Sequence, residues 1–118
     1  MNDLRLMEKV RLGTPFDVQD AMAIATKIVD PDGKGLNGHN QKTTLALLTG
    51  VILHVLYAEQ DKTLRGVAAF LDNPDFDKMQ STEHPDVALL AKEMAEKPSN
   101  ERSGVISMAR YDLEQFAA

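Results

Sequence analysis

The sequence predicts an all-α protein: a compact, non-parallel bundle of five to six helices around one central apolar helix at about residues 41–59. Three observations lead there. First, KTTLALLTGVILHVLYA, Lys42 to Ala58, sends Leu45, Leu47, Leu48, Val51, Ile52, Leu53, Val55 and Leu56 in every direction when wound as a helix. Second, the segments around it repeat apolar residues at i, i+3 and i+4, the helical period. Third, strand alternation, internal repeats and low-complexity tracts are absent. A helix that is apolar all round belongs in a core or in a membrane. The apolar run Val51 to Val55, with His54 inside it, is far shorter than the roughly 18 to 20 residues a bilayer needs. Thr49, Gly50 and His54 weaken a membrane reading further.

Taken in order, Asp3 to Leu12 mixes Leu4, Leu6, Met7 and Val10 with charges and reads equally as a frayed helix or an extended lead-in. Gly13-Thr14-Pro15 then opens a helix, with Thr14 as N-cap, Pro15 at the first helical position and Asp17 in the first turn. Phe16, Val18, Ala21, Met22, Ala25, Ile28 and Val29 mark its apolar face. Pro31 and the glycines after it end this helix in a turn. The central helix starts near Asn37 to Gln41 and runs to about Glu59. Asp61-Lys62-Thr63 forms a capped turn, and Leu64, Val67, Ala68, Phe70 and Leu71 form a short helix halted by Asp72-Asn73-Pro74. Asp75 to Met79 adds one turn, and Gln80 to Pro85 is loop. Pro85-Asp86 opens a helix with Val87, Leu90, Ala91 and Met94 inward, ending at Lys97-Pro98. Ser99 or Asn100 caps the last helix, which carries Val105, Ile106, Met108, Ala109, Leu113 and Phe116.

Composition excludes several function classes. At 118 residues, with 43% hydrophobic and 26% charged residues, the chain is one ordinary globular domain. Having no cysteine, it has no disulfide scaffold, thiolate zinc site or cysteine nucleophile. The start MNDLRLMEKV lacks the apolar region of a signal peptide. A net charge of -5 opposes non-specific DNA binding and suits a basic protein partner. With 5% aromatic residues and no tryptophan, base-stacking platforms are not expected.

Two motif-like stretches fail on inspection. Asp30 and Asp32 fit positions one and three of a calcium loop, but Lys34 stands at position five and Gln41 at position twelve, where a bidentate Glu is required. Gly33 and Gly38 have phosphate-loop spacing, but His39-Asn40 follows where Lys-Ser or Lys-Thr belongs. His54 lacks a carboxylate at i+3 or i+4, so it reads as a core histidine with its ring nitrogens satisfied, and Gly50 as a site of close helix approach. Ser81, Ser99, Ser103 and Ser107 lie outside any nucleophile elbow. No catalytic residue, metal site or cofactor is nominated. The one charge feature is Asp72, Asp75, Asp77, Glu83 and Asp86 against a single base, Lys78. It reads as a solvated loop region or as a patch that receives a basic segment.

Three segments together resemble one family: GTPFDVQDAMAIATKIVDPDGKG, KTTLALLTGVILHVLYAEQDKTLRGVAAFLDNP and KPSNERSGVISMA. They look like the all-alpha domain of TraG/VirD-type coupling proteins, the membrane-anchored ATPases of conjugative type IV secretion systems. The resemblance covers most of the chain and is weakest between Pro74 and His84. It implies that residues 1–118 are a single all-alpha domain, a fragment of a larger coupling protein without its ATPase core and membrane anchor. Consistent with that, GxxxxGK[ST] does not occur. It also implies a cytoplasmic location, with the parent anchored in the bacterial inner membrane and hexameric, and a fragment that is itself monomeric and makes no membrane contact. The implied role is substrate recruitment: binding a relaxase, a relaxosome accessory protein or an effector with a basic translocation signal. Asp72, Asp75, Asp77, Glu83 and Asp86 are then the expected docking surface. The rival readings are a weak DNA contact through Lys97, Arg102 and Arg110, and a structural part in hexamer assembly.

Overall fold

The computed structural model describes residues 6–36 and 38–117. From residue 17 onward, six helices follow one another among the described residues: α1 (Asp17–Val29), α2 (His39–Ala58), α3 (Leu64–Asp72), α4 (Phe76–Gln80), α5 (Pro85–Glu96) and α6 (Ser99–Ala117). The expected all-α bundle is what the chain forms, with no strand among the described residues. Every residue from Leu47 to Leu56 is buried, so α2 has no solvent face over that stretch. Helices α1, α3, α5 and α6 pack around it, while α4 leans mainly on α5. Burying polar Thr44 and Thr49 is tolerated because each hydroxyl donates to a carbonyl one turn back, Asn40 O and Leu45 O, both at 2.8 Å.

The ends of α2 differ slightly from expectation. It begins at His39 and stops at Ala58, with extended Gly38 as N-cap; Asn37 lies outside the described residues. Lys62 turns back and donates from Nζ to Leu56 O and Glu59 O, both at 2.8 Å. A cation on the last carbonyls satisfies orphan acceptors and complements the helix dipole.

Around α2 the predicted faces hold, with particular exceptions. α1 starts at Asp17 rather than Pro15, because Thr14 uses its hydroxyl on Arg11 O and accepts from Phe16 N in a preceding turn. Ile24 joins Ala21, Ala25, Ile28 and Val29 inside, whereas Phe16 is 47% exposed and Met22 44%. Phe16 instead lies under the Arg11 guanidinium, 4.3 Å from ring centroid to Cζ. Arg11 also makes a bidentate pair with Asp20, at 2.8 and 2.9 Å. This clasp fixes the lead-in segment, whose Met7 and Val10 enter the core; Asp3 and Leu4 lie outside the described residues. In the loop after α1, Asp30 accepts from Lys34 N and Gly35 N, and Gly33 and Gly35 take positive φ, so this is a plain turn.

Two glycines set close approaches. A Cβ on Gly50 would lie 1.9 Å from Leu90 Cδ2, so its absence lets α5 reach α2, the role read for it from sequence. Gly66 was not singled out by sequence, yet a Cβ there would meet the Asp61 carbonyl oxygen at 1.8 Å. Leu90 can rotate away; a backbone carbonyl cannot. Gly→Ala inside a helix ordinarily gains up to about 1 kcal/mol. We expect Gly66→Ala to reverse that sign and cost about 1–3 kcal/mol by overpacking, read as a lower denaturant midpoint. Gly50→Ala should cost less. Leu53→Ala should lose about 2–5 kcal/mol; a loss under about 1 kcal/mol would show that α2 is not the core.

Candidate functional site

Polar chemistry inside this fold collects at two places where helix ends meet. In the first, buried Asp17 accepts on Oδ2 from the Tyr57 hydroxyl (2.7 Å) and from His84 Nε2 (2.9 Å), and on Oδ1 from Val18 N (2.7 Å). Tyr57 Oη also accepts from Gly13 N at 2.6 Å. The cluster joins the start of α1, the end of α2 and the loop before α5. Burial pushes the Asp17 carboxyl up, but the hydrogen bonds from Tyr57, His84 and Val18, with the His84 charge, bring it below its ordinary value.

The second place is built on His54, which is 1% exposed and faces the Phe70 ring at 4.9 Å. Burial pulls its pKa below the usual value despite the neighbouring Glu59 carboxylate. The neutral ring donates from Nε2 to Glu59 Oε2 at 2.9 Å, and Lys78 Nζ donates to the same oxygen at 2.7 Å. The Lys78 bond lowers the Glu59 pKa against burial, helped by His54. The sequence expectation for His54 is therefore half right. It is a core histidine, but its carboxylate stands at i+5, past the helix end, and Nδ1 meets no hydrogen-bond partner among the described residues.

The five sequence-nominated acids are all exposed. Asp72 pairs with Arg110 at 3.0 Å and lines a groove of about 570 Å³ between α3 and α6. Asp75 caps α4 by accepting from Lys78 N at 3.0 Å and borders a hollow of about 720 Å³ shared with Glu59, Asp61 and Phe70. Asp77 and Glu83 lie on α4 and the loop after it. Asp86, in the first turn of α5, edges a third groove of about 360 Å³ between α1, α2 and α5. Asp72, Asp75 and Asp86 thus border three different depressions. The cations of the rival strip all have partners within the chain. Lys97 pairs with Glu101 (3.5 Å), Arg110 with Asp72, and Arg102 donates to Ala95 O (3.1 Å) and Lys97 O (3.3 Å) at the end of α5. Among the described residues, no three His, Cys, Asp or Glu side chains are gathered as for a metal ion, and no helix is long and apolar enough to cross a membrane.

An all-helical module with grooves and exposed carboxylates is the class that fold and surface define. Comparison with known proteins supplies the family. A family model described as "Type IV secretory system Conjugative DNA transfer" matches residues 6–118. Two curated Escherichia coli proteins, each named "Conjugal transfer protein TraG", are 39% and 41% identical in alignments 126 positions long that cover 93% of this chain. The chain belongs to this type IV secretion conjugative DNA transfer family, as the three sequence segments implied. It spans 20% of the length of those relatives. No solved structure matches.

The polar clusters give a pH prediction. Groups whose folded pKa is depressed stabilise the fold above their unfolded pKa, and that stability is lost as pH falls. For His54 the loss begins near pH 6.5 and deepens downward, whereas for Asp17 and Glu59 it begins only near pH 4. Denaturant midpoints should therefore fall between pH 7 and pH 5 in the natural chain and stay nearly level in His54→Gln. An equal fall in both would exclude His54 as the source. Asp17→Ala, which removes the acceptor of the Tyr57 hydroxyl, His84 Nε2 and Val18 N, should cost about 1–3 kcal/mol at pH 7.

Proposed function

We propose that this chain is a substrate-recruitment module of a type IV secretion coupling protein, a protein-binding domain without catalysis of its own. On this reading it docks a relaxase, a relaxosome accessory protein or an effector through a basic segment, on the cytoplasmic side of the membrane that holds the parent. The observation that carries the proposal is the exposure of Asp72, Asp75, Asp77, Glu83 and Asp86 on a chain of net charge -5. Acidic surfaces raise encounter rates with basic partners and select against acidic ones. The engagement of Lys97, Arg102 and Arg110 within the fold favours this reading over a DNA contact. Membership in a conjugative DNA transfer family supports the setting.

Titration of the purified chain with its cognate relaxase, at low and moderate salt, tests the proposal. Saturable binding that weakens as salt rises is the expected result, because exposed charges are screened over about 10 Å at 0.1 M. Reversing Asp75, Asp77 and Glu83 to lysine should weaken it further while helicity stays unchanged. Binding to single-stranded DNA but not to relaxase would replace this reading with the DNA-contacting one.

A further inference from the structure

The groove between α1, α2 and α5 combines an apolar lining with charged side chains at its edges. Its floor and walls are apolar: Val18, Met22, Leu45, Leu53, Leu89 and Leu90. Leu89 is 57% exposed, the most exposed leucine on α5. Asp86 and Glu93 edge the groove from α5, and Lys42 edges it from α2. At the other two depressions Asp72 pairs with Arg110 and Lys78 with Glu59. The side chains of Asp86, Glu93 and Lys42 make no hydrogen bond or ion pair among the described residues. Charge around this apolar trough is thus left for something outside it.

Asp86, Leu89, Leu90 and Glu93 stand at i, i+3, i+4 and i+7, one face of a helix. With a rise of 1.5 Å per residue, the two carboxylates bracket the leucines at about 10 Å separation along the axis. A complementary helix carries two basic residues two turns apart, with apolar residues between them. That is the helix-in-groove mode, in which apolar anchors give affinity and flanking charges set register. Lys42 on the opposite wall, which with Glu93 also lines the adjoining hollow, disfavours a segment that is basic throughout.

We propose that this groove binds a basic amphipathic helix of a partner protein, with Leu89 as its main contact and Asp86 and Glu93 as its charge clamps. This rests on the reading of the chain as a recruitment module and names the form of the segment recruited. It adds α1, α2 and α5 to a surface otherwise defined by acids alone.

The probe is a synthetic helical peptide with lysines at i and i+7 and leucines at i+3 and i+4, followed by amide chemical shifts and anisotropy at low salt. Expected is saturable binding, with shifts concentrated in α1, α2 and α5, and none for polylysine. Leu89→Asp and Glu93→Lys should each weaken the peptide about tenfold or more, with circular dichroism unchanged. Asp75, Asp77 and Glu83 reversed together should alter it less than about threefold, being outside the groove. The same Leu89→Asp chain is then titrated with relaxase. Relaxase binding by the natural chain without peptide binding, or undiminished relaxase binding by Leu89→Asp, overturns the groove and leaves recruitment standing. Peptide binding without relaxase binding overturns recruitment and leaves the groove. A dimer by sedimentation that Leu89→Asp dissolves also overturns the inference, since a second copy is then the occupant.

Discussion

Everything in this fold answers one constraint: ten consecutive residues of α2 have no side that water reaches. A helix apolar on one stripe can lie on a surface, but one apolar all round must be enclosed. α1, α3, α5 and α6 supply that enclosure, all of them packing on α2. Close packing then dictates small residues where helices converge, which is why Gly50 sits under Leu90. Polar backbone at the buried end needs a partner, and Lys62 supplies it from the following turn.

The two polar clusters follow from the same constraint. A fully buried helix must surface somewhere, and both clusters sit at or near its C-terminal end. Tyr57 is the first outward side chain after Leu56, and its hydroxyl is held by Asp17 while itself accepting from Gly13. His54 lies one turn earlier, and its outward nitrogen finds Glu59 only because the chain leaves helical geometry at that residue. Buried charges and polar atoms cost stability when unpaired but add positional specificity when satisfied. These clusters therefore fix how α1, α4 and the loop before α5 meet α2, more than they strengthen the core.

Much of the fold was legible in sequence, because periodicity and glycine or proline punctuation report local structure. The central helix, five of its neighbours and the turn at Asp30 all came from such signals. What was illegible is non-local. Asp17 meets partners 40 and 67 residues away, and no spacing rule reaches that far. Phe16 and Met22 keep the helical period but fall on the rim of the buried face, where period alone cannot fix the angle. Gly66 carries no sequence signal because its neighbour is a backbone carbonyl, which composition never shows. Of the candidate site, sequence found the acids and missed their distribution, since Asp72, Asp75 and Asp86 are near in sequence yet border different grooves.

That distribution changes what the net charge means. Lys62 and Arg102 donate to backbone carbonyls, so their charge closes helix ends instead of neutralising carboxylates. Lys78 and Arg110 are each tied to one acid, and Arg11 to Asp20. Those five cations are held against the framework, while Asp77, Glu83, Asp86 and Glu93, like Lys42, have no side-chain partner among the described residues. A scaffold with these bases engaged and several acids unengaged presents its negative field without first rearranging. Association then avoids the cost of ordering its own side chains, which is a large part of the cost of binding. Charge of this kind steers a partner but anchors it weakly. Residence must come from apolar contact, and the groove beside Asp86 is where exposed Leu89 and Met22 bring apolar surface and unengaged charge together.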